Sequence, residues 1–422
     1  MRDGWFERGG ARLHFLEWEA EGENAEPIVF LHGLSSNARY WTRVAERLPG
    51  RRMLALNQRS HGLSDRPAEG YTHEELAADA AALFDHAGVS RAVVAGHSWG
   101  AAIALELAAA RTDLVSGLAF IDGPAASMSE VLSWDQAQQV MQPALPRYAS
   151  LDEAVWAKRK EMEPERSWGD DLVPFVEAGL MPAEGGYVLT LTEPVRFQIL
   201  KELFHYHPEL LWPRVECPVA ILLADSDTPF GRWKRRSEQA LRELRPDADI
   251  RWFRSPHDIP LHAPDEVALE LERLSLRAGF GDLARDVASL AGDWTRPTPA
   301  EGWTAHDLLA HISSTQGALA ATVASVIAGG GQHADSGREP FDPDRWNASQ
   351  VRRRRERPTE DLLLEVGEGT AAFEQALLSA DLRRPVTIGA FAGESLAEAL
   401  RGLLAHQRGH LGDLRQSLAV RR

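Results

Sequence analysis

The amino-acid sequence predicts an α/β fold with a mostly parallel sheet, followed by an all-α four-helix bundle. Up to about residue 276, short apolar runs alternate with helical patterns, as in parallel strands joined by crossover helices. After about residue 280, four helical patterns follow one another without a convincing strand run, which favours a bundle. The chain of 422 residues is long enough for two domains, predicted at 1–276 and 280–422.

The order of apolar runs predicts the elements of the first domain. Strands are expected at 27–33, 52–62, 91–98, 117–123, 217–227 and 249–258. A helix is expected to begin after Thr72, which can cap it, with Glu75 three residues later. From about 124 to 213 the alternation is lost, and prolines, charged helical pieces and four tryptophans (Trp134, Trp156, Trp168 and Trp212) take over. We interpret this segment as a helical insertion.

Composition excludes several classes of partner. The formal net charge of −16 opposes attraction to nucleic acid phosphates or to an anionic membrane. The first residues lack an apolar signal core, and no stretch approaches the roughly 18 apolar residues that a membrane helix needs. Cys217 is the only cysteine, which excludes an internal disulfide and fits a reducing compartment. We therefore expect a soluble cytoplasmic protein, in which the arginine run 352–355 is a solvated helix face.

The segment VAGHSWG at 94–100 carries the strongest chemical signal. Gly96, Ser98 and Gly100 form G-x-S-x-G between a predicted strand and a predicted helix. At such a turn the serine is held in a strained conformation with its hydroxyl exposed, and the small flanking residues prevent backbone clashes. Ser98 is therefore the candidate nucleophile.

A serine hydroxyl needs a base and an acid that orients the base. His257 follows the last predicted strand and is the candidate base, whereas His262 lies nearer the next helix and is interpreted as a surface or supporting residue. Asp227 is the favoured acid because it lies farther out on the loop than Asp225. Asp122 ends the strand after the nucleophile helix, and it remains a third candidate.

Acyl transfer also needs donors for an oxyanion, normally backbone N–H groups. Trp99, directly after the nucleophile, and Leu34, at the end of an early strand, are the candidates. His32 lies beside Leu34 and is expected to brace this loop rather than act as a base.

Residues 1 to about 276 resemble the α/β-hydrolase fold family. The resemblance rests on HGLSSNARYW, NQRSHGLSDRP, GHSWGAAIALELA, LLADSDTPF and PHDIPLHAPDEV, in the family's order. It implies that Ser98 is the nucleophile, Asp227 the acid and His257 the base, with Leu34 and Trp99 at the oxyanion, and that the insertion is a lid over an apolar acyl or aromatic pocket. Relatives commonly carry Asp-x-Arg-Gly where this chain has residues 57–60, Asn-Gln-Arg-Ser.

The nature of the nucleophile narrows the chemistry. Epoxide hydrolases and haloalkane dehalogenases of this family use an aspartate where this chain has Ser98, so we expect a hydrolase of carboxylesterase type acting on a small-molecule acyl substrate without a cofactor. Perhydrolysis and carbon–carbon bond hydrolysis remain alternatives on the same residues. The sequence also leaves open whether the chain forms a homodimer.

Histidines in the second domain form a further candidate site. His406 and His410 are one turn apart, which puts both imidazoles on one helix face. Another helix begins at Thr304, which can cap it, and contains His306 and His311. These two lie about 140° apart around the helix, so only one can face a shared metal. His311 lies deeper and is the candidate third ligand.

Residues from about 280 to 422 resemble the DinB-like superfamily of metal-binding four-helix bundles, which includes mycothiol-dependent maleylpyruvate isomerase. The matching pieces are PAEGWTAHDLLAHISS, FDPDRWNASQV and LAHQRGHLGDLRQ. The resemblance implies a divalent metal, zinc or nickel, on His311, His406 and His410. A metal-dependent thiol transferase and a noncatalytic assembly module are both open interpretations of this bundle.

Overall fold

A computed structural model describes most of the chain and divides it into two compact units, Met1–Leu274 and Ser275–Arg422. The described residues are 1–20, 26–141, 144–226, 229–300, 302–328, 342–386 and 393–419. In this part of the chain, no helix has the length and hydropathy of a membrane-spanning segment. The glycine-rich segment at 328–337 lies, apart from residue 328, outside the described residues.

Eight described strands form one sheet in the first unit, in the order β1-β2-β4-β3-β5-β6-β10-β11. Their bounds are β1 Arg2–Arg8, β2 Ala11–Trp18, β3 Ile28–Leu31, β4 Met53–Leu56, β5 Ala92–His97, β6 Val115–Ile121, β10 Val219–Ala224 and β11 Asp249–Phe253. Strands from β4 to β11 in this order pair in parallel, while β2 runs antiparallel to both β1 and β4. The central strands are buried throughout, which explains their continuous apolar sequences.

The mostly parallel α/β sheet is confirmed, but the hairpin β1–β2 was not among the predicted strands. Its two strands mix charged and apolar residues instead of forming an apolar run. Gly9 and Gly10, both with positive φ, form the two-residue turn, and Arg8 pairs with Ala11 across it. This Gly-Gly turn is a hairpin signal that the sequence does contain.

Helices cover the sheet and continue into the second unit. Those of the first unit outside the insertion are α1 Thr42–Ala45, α2 His73–Ala87, α3 Trp99–Ala110, α8 Pro229–Leu244 and α9 Ile259–His262; α10, Pro264–Ala288, contains the boundary between the units. The helix start predicted at Thr72 is confirmed, since the Thr72 hydroxyl accepts a hydrogen bond from the Glu75 N–H at 3.2 Å. This cap fixes the start of α2, which packs beside the nucleophile helix α3.

The insertion between β6 and β10 contains helices, as predicted, and also a second sheet that was not predicted. The helices are α4 Trp134–Met141, α5 Leu151–Met162, α6 Val173–Ala178 and α7 Glu193–Phe204, and the strands are β7 Arg147–Tyr148, β8 Leu180–Ala183 and β9 Gly186–Leu189. The three strands pair antiparallel in the order β7-β9-β8. They are only two to four residues long and half-buried at most, so neither apolar runs nor clear alternation mark them.

The second unit is helical in its described residues. After α10 it contains α11 Ala305–Ile327, α12 Pro343–Arg354, α13 Thr359–Leu377 and α14 Leu396–Leu418. Three of these correspond to the predicted bundle helices, whereas α12 was not among those four, although its arginine run was expected on a helix face. Gly369 of α13 has the backbone of Gln316 in α11 only 2.7 Å from where a Cβ would lie, so these two helices approach closely.

The arginine run of α12 makes ion pairs with neighbouring helices. Arg354 and Arg357 each lie 2.6 Å from a carboxylate oxygen of Glu365 on α13, and Arg355 lies 3.1 Å from Asp307 on α11. The hydrogen bond from Arg354 is the main reason that the pKa of Glu365 is lowered to about 2. These arginines therefore join helices as well as facing solvent.

Candidate active site and metal centre

Ser98 lies on the sharp turn between β5 and α3, in the conformation that the motif predicts. Its φ of 54° and ψ of −120° are strained for a residue with a side chain. A Cβ at Gly96 would lie 2.2 Å from the carbonyl oxygen of Gly100, and a Cβ at Gly100 would lie 2.4 Å from that of Leu31. Both glycines are therefore required by the close approach of backbone on either side of the serine.

His257 connects Ser98 to a carboxylate. Its Nε2 lies 2.9 Å from the Ser98 Oγ, and its Nδ1 lies 2.6 Å from Oδ2 of Asp122. With Nδ1–H donating to Asp122, Nε2 is free to accept the serine hydroxyl proton. The three side chains thus form a hydrogen-bonded chain of the kind that can activate a serine hydroxyl.

The carboxylate in this arrangement is Asp122, which the sequence analysis ranked below Asp227. Asp227 lies outside the described residues. Asp225 is exposed and pairs with Arg235. Asp122 directly follows β6, the strand that pairs with β5, so it is carried to the same edge of the sheet as Ser98. Asp227 was favoured because it lies farther out on its loop. That position does not tell which strand end brings a carboxylate to His257, because the order of strands in the sheet decides it.

The surroundings of His257 and Asp122 shift the pKa values of both groups, in opposite directions. Burial opposes the charge of His257, but the hydrogen bond and the negative charge of Asp122 outweigh burial and raise the pKa of the imidazole above its ordinary value. Burial likewise opposes the charge of Asp122, yet its bonds to His257 and Lys234 keep the pKa of this carboxyl below its usual range. Asp122 therefore remains ionised while His257 changes protonation.

Trp99 and Leu34, the predicted oxyanion donors, lie in two segments that adjoin Ser98. Trp99 is the first residue of α3, so its N–H has no acceptor one turn earlier within the helix. Leu34 lies in a turn closed by the Ser36 N–H and the Gly33 carbonyl at 3.2 Å. The turn brings Gly33 close to Ser98, whose Cβ is 3.2 Å from where a Gly33 Cβ would lie.

Two buried histidines hold this turn. His32 donates from Nδ1 to the Gly33 carbonyl at 2.8 Å and accepts at Nε2 from the Gln58 N–H at 3.1 Å, a bracing role like the one expected for it. His61 donates to a backbone carbonyl from Nδ1, so its Nε2 accepts the Ser35 N–H at 3.1 Å. Burial lowers the pKa of His61 to about 4, which keeps Nε2 an acceptor at neutral pH.

The segment in which this chain departs from Asp-x-Arg-Gly supports the same region. Asn57 accepts the Ala38 N–H at 2.6 Å, and Arg59 forms a double hydrogen bond with Asp79 at 2.6 and 2.9 Å. Ser60 has a φ of 64°, where the family pattern has glycine, and its hydroxyl bonds the Tyr71 hydroxyl at 2.6 Å. The departure therefore preserves the left-handed turn that glycine adopts more easily.

His97, the residue between Gly96 and Ser98, was not identified as functional from the sequence. Its Nε2–H donates to the carbonyl of His257 at 3.0 Å, and its ring stacks on Tyr40 at 4.9 Å. Burial lowers its pKa to about 4, so it is a neutral donor at neutral pH. Tyr40 in turn donates to Asp258 at 3.3 Å. These contacts fix the backbone that carries the base, and no sequence pattern announces them.

A cavity of about 220 Å³ lies between the turn that follows Leu34 and the insertion. Its lining includes Ser35, Asn37, Tyr148, Lys158, Phe175 and Leu189. Ser35 follows Leu34, and Lys158 lies 3.7 Å from Asp258, the residue after His257, so the cavity lies near both segments, although its lining includes neither Ser98 nor His257.

The tryptophans that suggested an aromatic pocket do not line this cavity in the described part of the lid. Trp212 packs against Phe120 in the core, and Trp156 is 60% exposed. His262, the alternative to His257, bonds the Ser167 hydroxyl at 2.6 Å through Nδ1. It therefore holds a lid loop and does not reach Ser98.

In the second unit, His311, His406 and His410 come together. One nitrogen from each ring lies within 4.8 Å of the others, and the Nε2 atoms of His406 and His410 are 3.0 Å apart. His306 does not join this cluster, because its Nε2 forms a hydrogen bond with the Arg357 carbonyl at 2.8 Å. The predicted capping box of Thr304 and Asp307 is present and sets the start of α11.

The chemistry of this donor set fits a divalent metal. Burial, and then the other two histidines, lower the pKa of His311 to about 3, so its ring is neutral as a ligand must be. Its Nδ1 is buried and has no hydrogen-bond partner among the described residues. Asp413 lies 3.8 Å from Nδ1 of His410, which favours the tautomer that leaves the nitrogen near His406 free.

The sheet, the strained serine turn and the histidine together define an α/β-hydrolase. The chain belongs to the alpha/beta hydrolase family, whose model matches residues 28–271. A second family model, the mycothiol maleylpyruvate isomerase N-terminal domain, matches residues 276–414.

Similar proteins span several hydrolase activities. Lipase LipV of Mycobacterium tuberculosis is 29% identical over 247 residues, which cover 57% of this chain and 90% of that protein. The 2-(acetamidomethylene)succinate hydrolase of Mesorhizobium japonicum is 32% identical over 160 residues, covering 38% of this chain and 56% of that one. A thioesterase domain from the curacin biosynthetic pathway superposes with a TM-score of 0.54 at 18% identity, covering 64% of this chain and 99% of the domain, which shows the fold alone.

Proposed function

We propose that the first unit is a serine hydrolase that cleaves a carboxylic ester or a related acyl compound. The observation that carries the proposal is the hydrogen-bonded chain from Ser98 through His257 to Asp122, with distances of 2.9 and 2.6 Å. The same chain of groups supports general-base activation of a serine in acyl transfer.

In this mechanism His257 Nε2 takes the proton from Ser98 as Oγ attacks the acyl carbon. The N–H groups of Leu34 and Trp99 stabilise the oxyanion, and the negative charge of Asp122 stabilises the imidazolium. The imidazolium then gives its proton to the leaving group. Water, activated by the same nitrogen, attacks the acyl-serine and releases the acid.

Ser98 separates this chain from the epoxide hydrolases among its similar proteins. Epoxide hydrolase A of Mycobacterium tuberculosis is 35% identical, but only over 127 residues. The family's epoxide hydrolases resemble this chain in fold yet require an aspartate as nucleophile. An acyl-serine intermediate, and hence an acyl substrate, is the chemistry that fits this chain.

The size of the cavity beside the turn that follows Leu34 favours a small acyl group. Its volume of about 220 Å³ lies below the range that holds drug-sized ligands. Phe175 and Leu189 supply apolar wall. We assign the acyl group of the substrate to this cavity.

Hydrolysis of p-nitrophenyl esters from acetate to octanoate tests the proposal. We expect turnover by the wild-type chain and by Ser90→Ala, a control at an exposed serine, and none by Ser98→Ala. Turnover that depends on hydrogen peroxide, or cleavage of a diketone where every ester fails, would support perhydrolysis or carbon–carbon bond hydrolysis instead.

For the second unit we propose a divalent metal site, zinc or nickel, on His311, His406 and His410. Three imidazoles with their nitrogens within 4.8 Å, one of them buried with a nitrogen that has no partner among the described residues, are the observations that favour it. When bound, such an ion supplies a Lewis acid that eases proton loss from a water or a thiol. The histidines would hold it, and Asp413 would orient His410. Metal analysis of purified protein tests this assignment.

A further inference from the structure

A buried lysine contacts the carboxylate that orients the base. Lys234 of α8 is 8% exposed, and its Nζ lies 2.6 Å from both oxygens of Asp122. No motif marks this lysine, and the mechanism above does not use it.

Both oxygens of the Asp122 carboxylate accept hydrogen bonds besides those from Lys234. Oδ1 of Asp122 also accepts the Ala224 N–H at 2.8 Å, and Oδ2 accepts from His257 at 2.6 Å. The carboxylate is thus an acceptor on every side and is held ionised. The Lys234 ammonium contacts both oxygens of this carboxylate and compensates its buried charge.

Lys234 and Asp122 act on His257 in opposite directions. The carboxylate favours the imidazolium, whereas the nearby ammonium disfavours it. Asp258, the next residue in the chain, adds a second negative charge near His257. Lys158 of the insertion helix α5 lies 3.7 Å from Asp258 and partly offsets that charge. His97 of β5, neutral at its pKa of about 4, adds no charge near neutral pH.

We infer that Lys234 is a positioning residue of the catalytic site, which fixes the Asp122 carboxylate and keeps His257 a free base at lower pH than Asp122 alone would allow. Asp122 has a φ of 48°, an unusual backbone conformation for a residue with a side chain, and the two contacts from Lys234 hold its carboxylate in place. The inference rests on the proposed role of the Ser98–His257 pair.

The rate at which a fluorophosphonate labels Ser98, measured between pH 5 and 9, tests the inference without a known substrate. Labelling needs the free-base imidazole, so its acidic limb reports the pKa of His257. The variants are Lys234→Met, which removes the charge, Lys234→Gln, which removes the charge but keeps a hydrogen-bond donor, and Lys234→Arg, which keeps the charge. Arg242→Gln, at a cation on the exposed face of the same helix, is the matched control.

Lys234→Met and Lys234→Gln are expected to move the acidic limb upward by about half a pH unit, since His257 is half-exposed and solvent screens part of the effect. Lys234→Arg and Arg242→Gln should keep the wild-type limb. If circular dichroism shows that Lys234→Met does not fold, the position of the acidic limb in Lys234→Gln tests the inference instead.

A folded, uncharged variant with a slower rate at every pH and an unmoved limb would overturn the inference and leave Lys234 a structural residue. Absence of Ser98 labelling in the wild-type chain is a different result. It would contradict the proposed hydrolase itself.

Discussion

Nδ1 of His257 lies 2.6 Å from Oδ2 of Asp122, a carboxylate 135 positions earlier in the chain. The contact joins the loop after β11 to the end of β6, and β6 pairs directly with the strand that carries Ser98. The sheet order, rather than proximity in sequence, brings the acid to the base.

The first prediction concerns this acid. Asp122→Asn is expected to lower kcat for ester hydrolysis by about 10³ to 10⁴-fold, because an amide neither holds the required tautomer nor stabilises the imidazolium. Asp225→Asn and Asp227→Asn should stay within a few-fold of the wild-type chain. A loss in Asp227→Asn equal to that in Asp122→Asn would contradict the assignment of the acid.

The second prediction concerns pH. The base must be neutral to act, and Asp122 raises the pKa of His257 above its ordinary value of 6.5, so kcat/KM should fall as pH drops through that raised pKa. Removing the carboxylate in Asp122→Asn removes the cause of the rise. The acidic limb of the residual activity should therefore move to lower pH, and an upward shift would be inconsistent with this account.

The third prediction concerns the serine turn. A methyl group at Gly100 would lie within 2.5 Å of two backbone carbonyl oxygens, those of Leu31 and His32, which cannot move as a flexible side chain can. Gly100→Ala should lower the free energy of unfolding by about 1 to 3 kcal/mol and abolish esterase activity. Gly367→Ala, in α13 with no heavy atom within 4 Å of the added carbon, is the control and should be neutral or stabilising in a denaturant titration.

The fourth prediction concerns the cavity. Ala157 of α5 lines it, while its neighbour Trp156 is exposed and does not. Ala157→Phe should reduce kcat/KM for hexanoyl and octanoyl esters at least ten-fold more than for acetyl esters, because the new ring fills acyl space. Trp156→Phe should leave the chain-length profile unchanged. Equal losses for all chain lengths would show that the acyl group binds elsewhere.

The fifth prediction concerns the second unit. Elemental mass spectrometry of the purified protein is expected to find close to one divalent metal ion per chain. The His406→Ala variant should lose most of this metal. His306→Ala is the matched control, since His306 bonds a backbone carbonyl instead of joining the cluster. Equal metal content in both variants would argue against the three-histidine site.

Much of this arrangement follows from local sequence. The glycines on either side of Ser98 mark it as the candidate nucleophile, because the close approach of backbone there requires them. Thr72 and Thr304 are capping residues, and a helix begins after each of them as predicted. The four-residue spacing of His406 and His410 is enough to place both rings on one helix face. Each of these inferences depends on residues within a few positions of one another.

What the sequence left open or did not reveal depends on contacts between distant segments. Asp122, Lys234 and His257 lie on three separate elements, and only the sheet order brings them together. His97 occupies a variable position of the G-x-S-x-G motif, and such a position carries no signal. The lid strands are too short for periodicity to reveal them, and their pairing is decided by tertiary contacts.

The central claim is that Ser98 is an activated nucleophile. The most direct test is the intact mass of the full chain before and after treatment with a fluorophosphonate, followed by peptide mapping, with Ser98→Ala treated in parallel. The account predicts a single adduct on the peptide that contains Ser98 and none in the variant. No adduct on the folded wild-type chain, or an adduct that persists in Ser98→Ala, would contradict it.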